Sequence, residues 1–284
     1  IRDLVRSRGL GDVYKRQHGG LHEVFVDVAE ITGVTKYLEL AEKFSDRSLL
    51  DPLIHHRNEL TGLHANTQIP KVIGFKRYAD ATNNSDWNSA AEFFWNTVVD
   101  NWTVSIGGNS VGEHFHHPDD FSSMVSSVQG PETCNTYNML RLTRLLFLSD
   151  PEVKYIDYYE RALFNHILSS EHPEKGGFVY FTPMRPRHYR VYSQPQQSFW
   201  CCVGSGLENH GKYGEMIYLH DGTGLYVNLF IASELNWDAK GITLTQRTGF
   251  PYEERSELTF RLDNPQRFTL NIRCPKWVNR EQFR

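Results

Sequence analysis

The sequence contains no run of 18 apolar residues, the length a helix needs to cross a bilayer, and no excess of charge of either sign. Its 30 Lys and Arg against 34 Asp and Glu leave a formal net charge of −4. Acidic and basic residues are interspersed, so no basic face for nucleic acid is expected, and neither nucleic acid nor membrane is an expected partner. Cysteine is scarce: of four in the chain, three fall into two short motifs. What is present is 39% hydrophobic residues in a chain of 284, enough to bury one large core or two moderate ones. Six Trp and fourteen Tyr serve such a core first, although aromatic rings also stack on sugar faces.

Residues 1–17 carry no usable periodicity and end in Asp12-Val13-Tyr14-Lys15-Arg16-Gln17. That hexapeptide is what a common transposon-end sequencing adapter encodes when translated, so 1–17 is expected to be a library scar and is set aside from the fold. The native start is then expected to be missing, and no localisation is read from this end.

From residue 18 to about 217 the pattern is helical, with a weak internal repeat. The segments Tyr37–Phe44, Trp87–Phe94 and Tyr155–Ala162 each place an aromatic five residues before a Glu (Glu42, Glu92, Glu160). Each follows a polar turn, at 32–35, 83–86 and 149–152, that closes an apolar helical stretch. Repeated antiparallel helix pairs suggest a toroid or solenoid whose loops carry the site. Beyond about 217 the period changes to alternation, at Leu225–Ile231, Ile242–Gln246, Leu258–Leu262 and Phe268–Arg273, which reads as short strands of a partial β-sandwich at 218–284. So few strands leave unpaired edges, which points to truncation at this end as well.

The chemistry concentrates in Glu132-Thr-Cys134 and Cys201-Cys202. Three thiolates and a carboxylate suit zinc, a borderline-soft ion. Glu132 and Cys134 precede an expected helix from about Asn135 to Leu148, whose N-terminus favours thiolate. Val203-Gly-Ser-Gly206 would supply irregular backbone to aim two neighbouring sulfurs at one ion. A chance pair of buried thiols, or a vicinal disulfide acting as a redox switch, reads the Cys201-Cys202 pair equally from spacing alone. Cys274 reads as a buried small hydrophobe in a strand. Glu113, on the glycine-rich loop 106–115, is either a general acid or a solvated carboxylate. Neighbouring His114, His116 and His117 form a weaker rival metal site. His64 begins a helix with apolar positions at Ile69, Val72 and Ile73, where it could donate to a substrate or merely cap and pack; Tyr180 is similarly ambiguous.

Taken together, Gly62-Leu-His-Ala-Asn-Thr-Gln-Ile-Pro70, Gly107-Gly-Asn-Ser-Val-Gly-Glu-His-Phe115, Glu132-Thr-Cys-Asn-Thr-Tyr-Asn-Met-Leu140 and Ser198-Phe-Trp-Cys-Cys-Val-Gly-Ser-Gly206 resemble glycoside hydrolase family 127 and its close relative family 146, the β-L-arabinofuranosidases. The resemblance runs from Gly19 to Trp277. It implies a mainly α fold with a β C-terminal part, an (alpha/alpha)6 barrel followed by β-sandwich domains; the barrel would be incomplete here because the family's first helix pairs are missing. It also implies retaining hydrolysis of terminal β-L-arabinofuranosyl residues from an arabinose-containing oligosaccharide or polysaccharide. By the same resemblance Glu132, Cys134, Cys201 and Cys202 hold zinc, Cys201 is also the nucleophile, Glu113 is the acid/base, and His64 and Tyr180 lie at the sugar. A competing expectation is a structural-zinc module that binds glycans without cleaving them. A zinc hydrolase with an activated water would instead need an open coordination position, which four protein ligands do not leave.

Overall fold

The computed structural model describes residues 20–279 and 281, so the adapter reading of 1–17 lies outside the described residues. The chain divides into two compact units at His210/Gly211.

The first unit is helical. Helices α1 (Leu21–Thr32), α2 (Lys36–Phe44), α3 (Arg47–Ile54), α4 (Ala65–Thr82), α5 (Ser85–Asn101), a short α6 (Ser122–Ser126), α7 (Thr133–Ser149), α8 (Val153–Ala162) and α9 (Cys201–His210) follow in order. The three aromatic-to-Glu segments fall on α2, α5 and α8. Their turns work by local chemistry. Gly33 closes α1 at φ 69 and Asn83 closes α4 at φ 54, the left-handed conformation that glycine and asparagine tolerate. Asn84 then starts α5 by accepting from the backbone N–H groups of Asp86 and Trp87. With so few residues between them, α1 and α2, and α4 and α5, fold back and pack on one another.

Helix α4 is the hub, packed by α1, α5 and α7. Its Ile69, Val72, Ile73 and Phe75 are fully buried, each contributing roughly 1.5–3 kcal/mol. Two of its lysines are buried as well, and both are paired. Lys71 Nζ lies 2.7 Å from Asp46 and 3.1 Å from Gln68 Oε1, while Lys76 binds Asp80 and Ser149. Trp102, Phe94, Phe115, Tyr155 and Tyr158 fill the neighbouring core. Helix α8 runs on into a π-helical turn, Leu163–Ile167, whose widened spacing puts His166 wholly inside. No described helix is long and apolar enough to cross a membrane.

The second unit holds two three-stranded sheets. In one, β1 (Tyr218–His220) pairs antiparallel with β2 (Gly224–Val227), which pairs parallel with β6 (Thr269–Ile272). In the other, β3 (Ser233–Trp237), β4 (Ile242–Thr248) and β5 (Ser256–Leu262) form an antiparallel meander. Leu225 and Val227 of the first sheet share one core with Trp237, Ile242 and Leu244 of the second, so the sheets meet through their alternating inward residues. Cys274 falls beyond β6 and is only half-buried, because the strand ends two residues earlier.

Candidate active site and metal centre

Three pieces of backbone build the site within the helical unit. Glu132 is the N-cap of α7, and Cys134 sits in its first turn, because the helix begins at Thr133, two residues before the Asn135 expected from the sequence. Segment 179–182 runs alongside: the Thr133 N–H donates to Tyr180 O at 3.0 Å, the Thr133 hydroxyl to Val179 O at 2.9 Å, and the Thr182 N–H to Pro131 O at 2.9 Å. Cys201 and Cys202 open α9, so the pair is aimed by a helix start and not by the irregular backbone expected from Gly204 and Gly206. Gly206 has a different use: a Cβ there would stand 2.7 Å from the Phe178 ring, so glycine lets α9 lie against the 178–180 segment.

The candidate ligand atoms of Glu132, Cys134, Cys201 and Cys202 all lie within 4.8 Å of one another. Cys134 Sγ is 3.1 Å from Cys202 Sγ, and Cys201 Sγ is 4.0 Å from Cys202 Sγ. Glu132 Oε1 is 3.8 Å from Cys201 Sγ and 3.7 Å from Cys202 Sγ. All four cysteines are free. A tetrahedral ion with sulfur at about 2.3 Å and oxygen at about 2.1 Å sets its ligand atoms roughly 3.6–3.8 Å apart. Most of the spacings here match, and the closer Cys134–Cys202 pair would need to open slightly.

Two further observations favour a cation. Glu132 is 1% exposed, and its Oε2 is buried with no hydrogen-bond partner. Burial, with Cys201 and Glu113 beside it, pushes the Glu132 carboxyl well above the usual range. Hydrogen bonds that Cys134 donates to the other two thiols, together with burial, push Cys134 up, and burial pushes Cys202 up, while hydrogen bonds from Cys134 and Cys202 pull Cys201 down. Four anionic groups cannot share this volume unaided; a cation removes the conflict. The N-termini of α7 and α9 add their partial positive charge. The group could therefore hold a metal ion. Of the three sulfurs, that of Cys201 belongs to an exposed residue, while Cys134 and Cys202 are buried.

The other sequence candidates gather beside it. Glu113 sits at φ 68 in the loop that also holds Ser110 at φ 70, a left-handed backbone that neither residue favours and that strain at a functional site often explains. Its backbone carbonyl accepts from the Ala65 N–H at 2.8 Å, which ties the loop to the start of α4. His64, the N-cap of α4, offers no side-chain cap and instead places Nε2 3.3 Å from Glu113 Oε2. The Tyr180 hydroxyl donates to Glu113 Oε1 and also interacts with Cys201. Burial and its bond to Glu113 hold the phenol protonated, with its pKa well above the ordinary value. The phenol thus binds the carboxylate and stands near the exposed Cys201.

The histidine-rich stretch does not assemble a second centre. His114 Nδ1 binds Gly112 O at 2.6 Å, His116 Nδ1 binds His117 O at 2.8 Å, and His117 faces Asp119. Residues to which the sequence assigned no role also appear. Ser205 Oγ lies 3.1 Å from Cys134 Sγ, and Asn66 Nδ2 donates to Glu132 Oε1 at 3.3 Å. Asn66 and Ser205 stand inside the motifs already noted, but a lone amide or hydroxyl on a helix carries no signal until its partner is known.

Comparison with known proteins gives a consistent result. Residues 5–215 match the β-L-arabinofuranosidase GH127 catalytic domain and residues 224–284 the GH127 middle domain. A non-reducing end β-L-arabinofuranosidase of Bifidobacterium longum subsp. longum is 27% identical over 207 residues, covering 66% of this chain and 30% of the relative. A solved GH127 β-L-arabinofuranosidase from Geobacillus stearothermophilus superposes with TM-score 0.68 at 21% identity, over 90% of this chain and 47% of that one. A second solved GH127 β-arabinofuranosidase gives TM-score 0.71 at 24% identity, over 90% and 42%. The chain therefore spans less than half the length of these relatives, and its helical part with a C-terminal sheet region has their fold. With both domain matches in order along one chain, the protein belongs to the GH127 β-L-arabinofuranosidase family of glycoside hydrolases.

Proposed function

We propose that the chain is the catalytic and following part of a retaining glycoside hydrolase that removes terminal β-L-arabinofuranosyl residues from arabinose-containing glycans, with Cys201 as nucleophile and Glu113 as acid/base. The observation that carries this is the exposed Cys201 thiol set beside three buried ligand candidates, with Tyr180, whose hydroxyl donates to Glu113, close by.

Glu132, Cys134, Cys201 and Cys202 would hold zinc, whose ligand preferences fit three sulfurs and a carboxylate oxygen. When bound, zinc supplies the positive charge that keeps Cys201 a thiolate at neutral pH. Cys201 Sγ attacks the anomeric carbon, forming a C–S bond as the C–O bond to the aglycone breaks, and Glu113 gives its proton to the departing oxygen. Glu113, now a carboxylate, takes a proton from a water that attacks the same carbon; the C–S bond breaks and the thiolate is restored. Two inversions give net retention. Tyr180 steadies the carboxylate and the thiolate in turn, and His64 holds the second oxygen of Glu113 while facing the sugar.

A purely structural zinc module that binds glycans without cleaving them would have no use for one ligand exposed beside a general acid, which favours the hydrolase. The test measures zinc content and arabinose release from an aryl β-L-arabinofuranoside, for the chain and for Cys201→Ser. Near-stoichiometric zinc, with turnover reduced by on the order of 10³-fold or more in the variant, is expected. Undiminished turnover in Cys201→Ser, or no bound zinc, refutes the mechanism.

A further inference from the structure

A chain of side-chain hydrogen bonds reaches Glu132 from Glu23 on α1. Arg141 on α7 places Nη2 2.5 Å from Glu23 Oε1 on α1, and its Nη1 donates to Asn138 Oδ1 at 3.5 Å. Asn138, one helical turn beyond Cys134, donates through Nδ2 to Asn66 Oδ1 at 2.9 Å. Asn66, in the first turn of α4, donates through Nδ2 to Glu132 Oε1 at 3.3 Å. A guanidinium can only donate and an ionised carboxylate can only accept. The sense of donation is fixed at both ends, so each amide between them has a single orientation that satisfies both neighbours.

We propose that Asn66 and Asn138 are positioning residues: the Arg141–Asn138–Asn66 relay delivers an N–H to Glu132 Oε1 and holds that carboxylate in register with the three sulfurs. This rests on the reading of Glu132 as a metal ligand. A carboxylate 1% exposed is costly to leave without donors, and among the described residues the hydrogen bonds to its side chain come from Asn66 and the thiols. Thiols that become thiolates on metal binding stop donating. Asn66 is then the donor that persists, and a hydrogen-bonded partner of this kind fixes both the direction and the basicity of a ligand. The anchoring is long-range: α1 holds Arg141 through Glu23, so the orientation of Glu132 depends on a helix that contributes no ligand.

The discriminating variant is Asn138→Asp, which keeps the size of the side chain, keeps an acceptor for Arg141 and does not touch Glu132. The new carboxylate cannot donate to Asn66 Oδ1. It draws the Asn66 amide round, so that an oxygen faces Glu132 Oε1. Zinc affinity of the full chain, measured by competition with a chromophoric chelator, is expected to fall about 10–100-fold. Melting of the metal-free variant should be unchanged or higher, because the new carboxylate pairs with Arg141. Added negative charge near the site would on its own tighten cation binding, the opposite direction. Asn66→Ala should lose a similar factor, and the double variant should be no weaker than Asn66→Ala alone, since position 138 acts through Asn66. Wild-type affinity in Asn138→Asp, or additive losses in the double variant, overturns the relay. Failure of the unaltered chain to bind zinc overturns the ligand reading beneath it.

Discussion

His166 makes stability depend on pH in a way that can be isolated. It lies on the π turn after α8, fully buried, with Nδ1 2.8 Å from Thr136 Oγ1 and Nε2 3.1 Å from Thr182 Oγ1. Thr136 follows Cys134 on α7, and Thr182 follows Tyr180, so the ring braces both walls of the site. Burial, helped by nearby Arg190, lowers its pKa from 6.5 to about 3. The folded pKa is depressed, so between these values the unfolded chain binds the extra proton, and stability falls as pH falls through the window. At pH 7.5 both states are nearly neutral. At pH 4.5 the native ring is still neutral while the unfolded one is almost wholly charged. Integrating at about 1.36 kcal/mol per pH unit gives a loss of about 2.6 kcal/mol between those two pH values from this residue alone. The experiment compares urea melts of the chain and His166→Gln, followed by helical circular dichroism, at pH 7.5 and 4.5. The variant should be the less stable at pH 7.5 because it loses packing, and its deficit should shrink by about 2.6 kcal/mol at pH 4.5, since groups common to both proteins cancel. A deficit equal at both pH values would refute the assignment of a neutral buried histidine.

Gly108→Ala would place a Cβ 2.6 Å from Pro131 Cβ, in the ring of the residue before Glu132, and 2.8 Å from the His166 ring. Thermal melting should show about 1–3 kcal/mol of overpacking, and an unchanged melting temperature would show that the loop yields freely. Asn84→Ala removes the side-chain acceptor for Asp86 N and Trp87 N at the start of α5, and chemical denaturation should report a loss of about 1 kcal/mol.

Much of the helical unit is legible in the sequence because its signals are local. The aromatic-to-Glu repeat and the turns at Gly33, Asn83 and Asn84 fix where helices start and stop, since capping and left-handed backbone depend on residues a few positions apart. The strands are read less fully. β1 is three residues long, and β3, Ser-Glu-Leu-Asn-Trp, carries too much polar character to stand out; each is a strand because a partner, β2 or β4, lies beside it. Helix α9 is not legible in the sequence because two glycines at its centre argue against helix, and packing of Gly206 against Phe178 overrides that preference.

The sequence by itself determined the chemical inventory: three cysteines and a glutamate in two motifs, a carboxylate on a glycine-rich loop, and the change from helical to alternating period near residue 217. Tertiary structure alone decided their geometry. Glu132 and Cys134 meet Cys201 and Cys202 because α9 lies against the 178–180 segment that runs beside Pro131–Thr133, and the Tyr180 hydroxyl reaches Glu113 only once that segment is in place. The reason is physical. Periodicity and capping act over a turn or two of chain, whereas a metal site or a directed hydrogen-bond relay needs ångström placement of groups far apart in sequence, and only packing of the elements against one another supplies it.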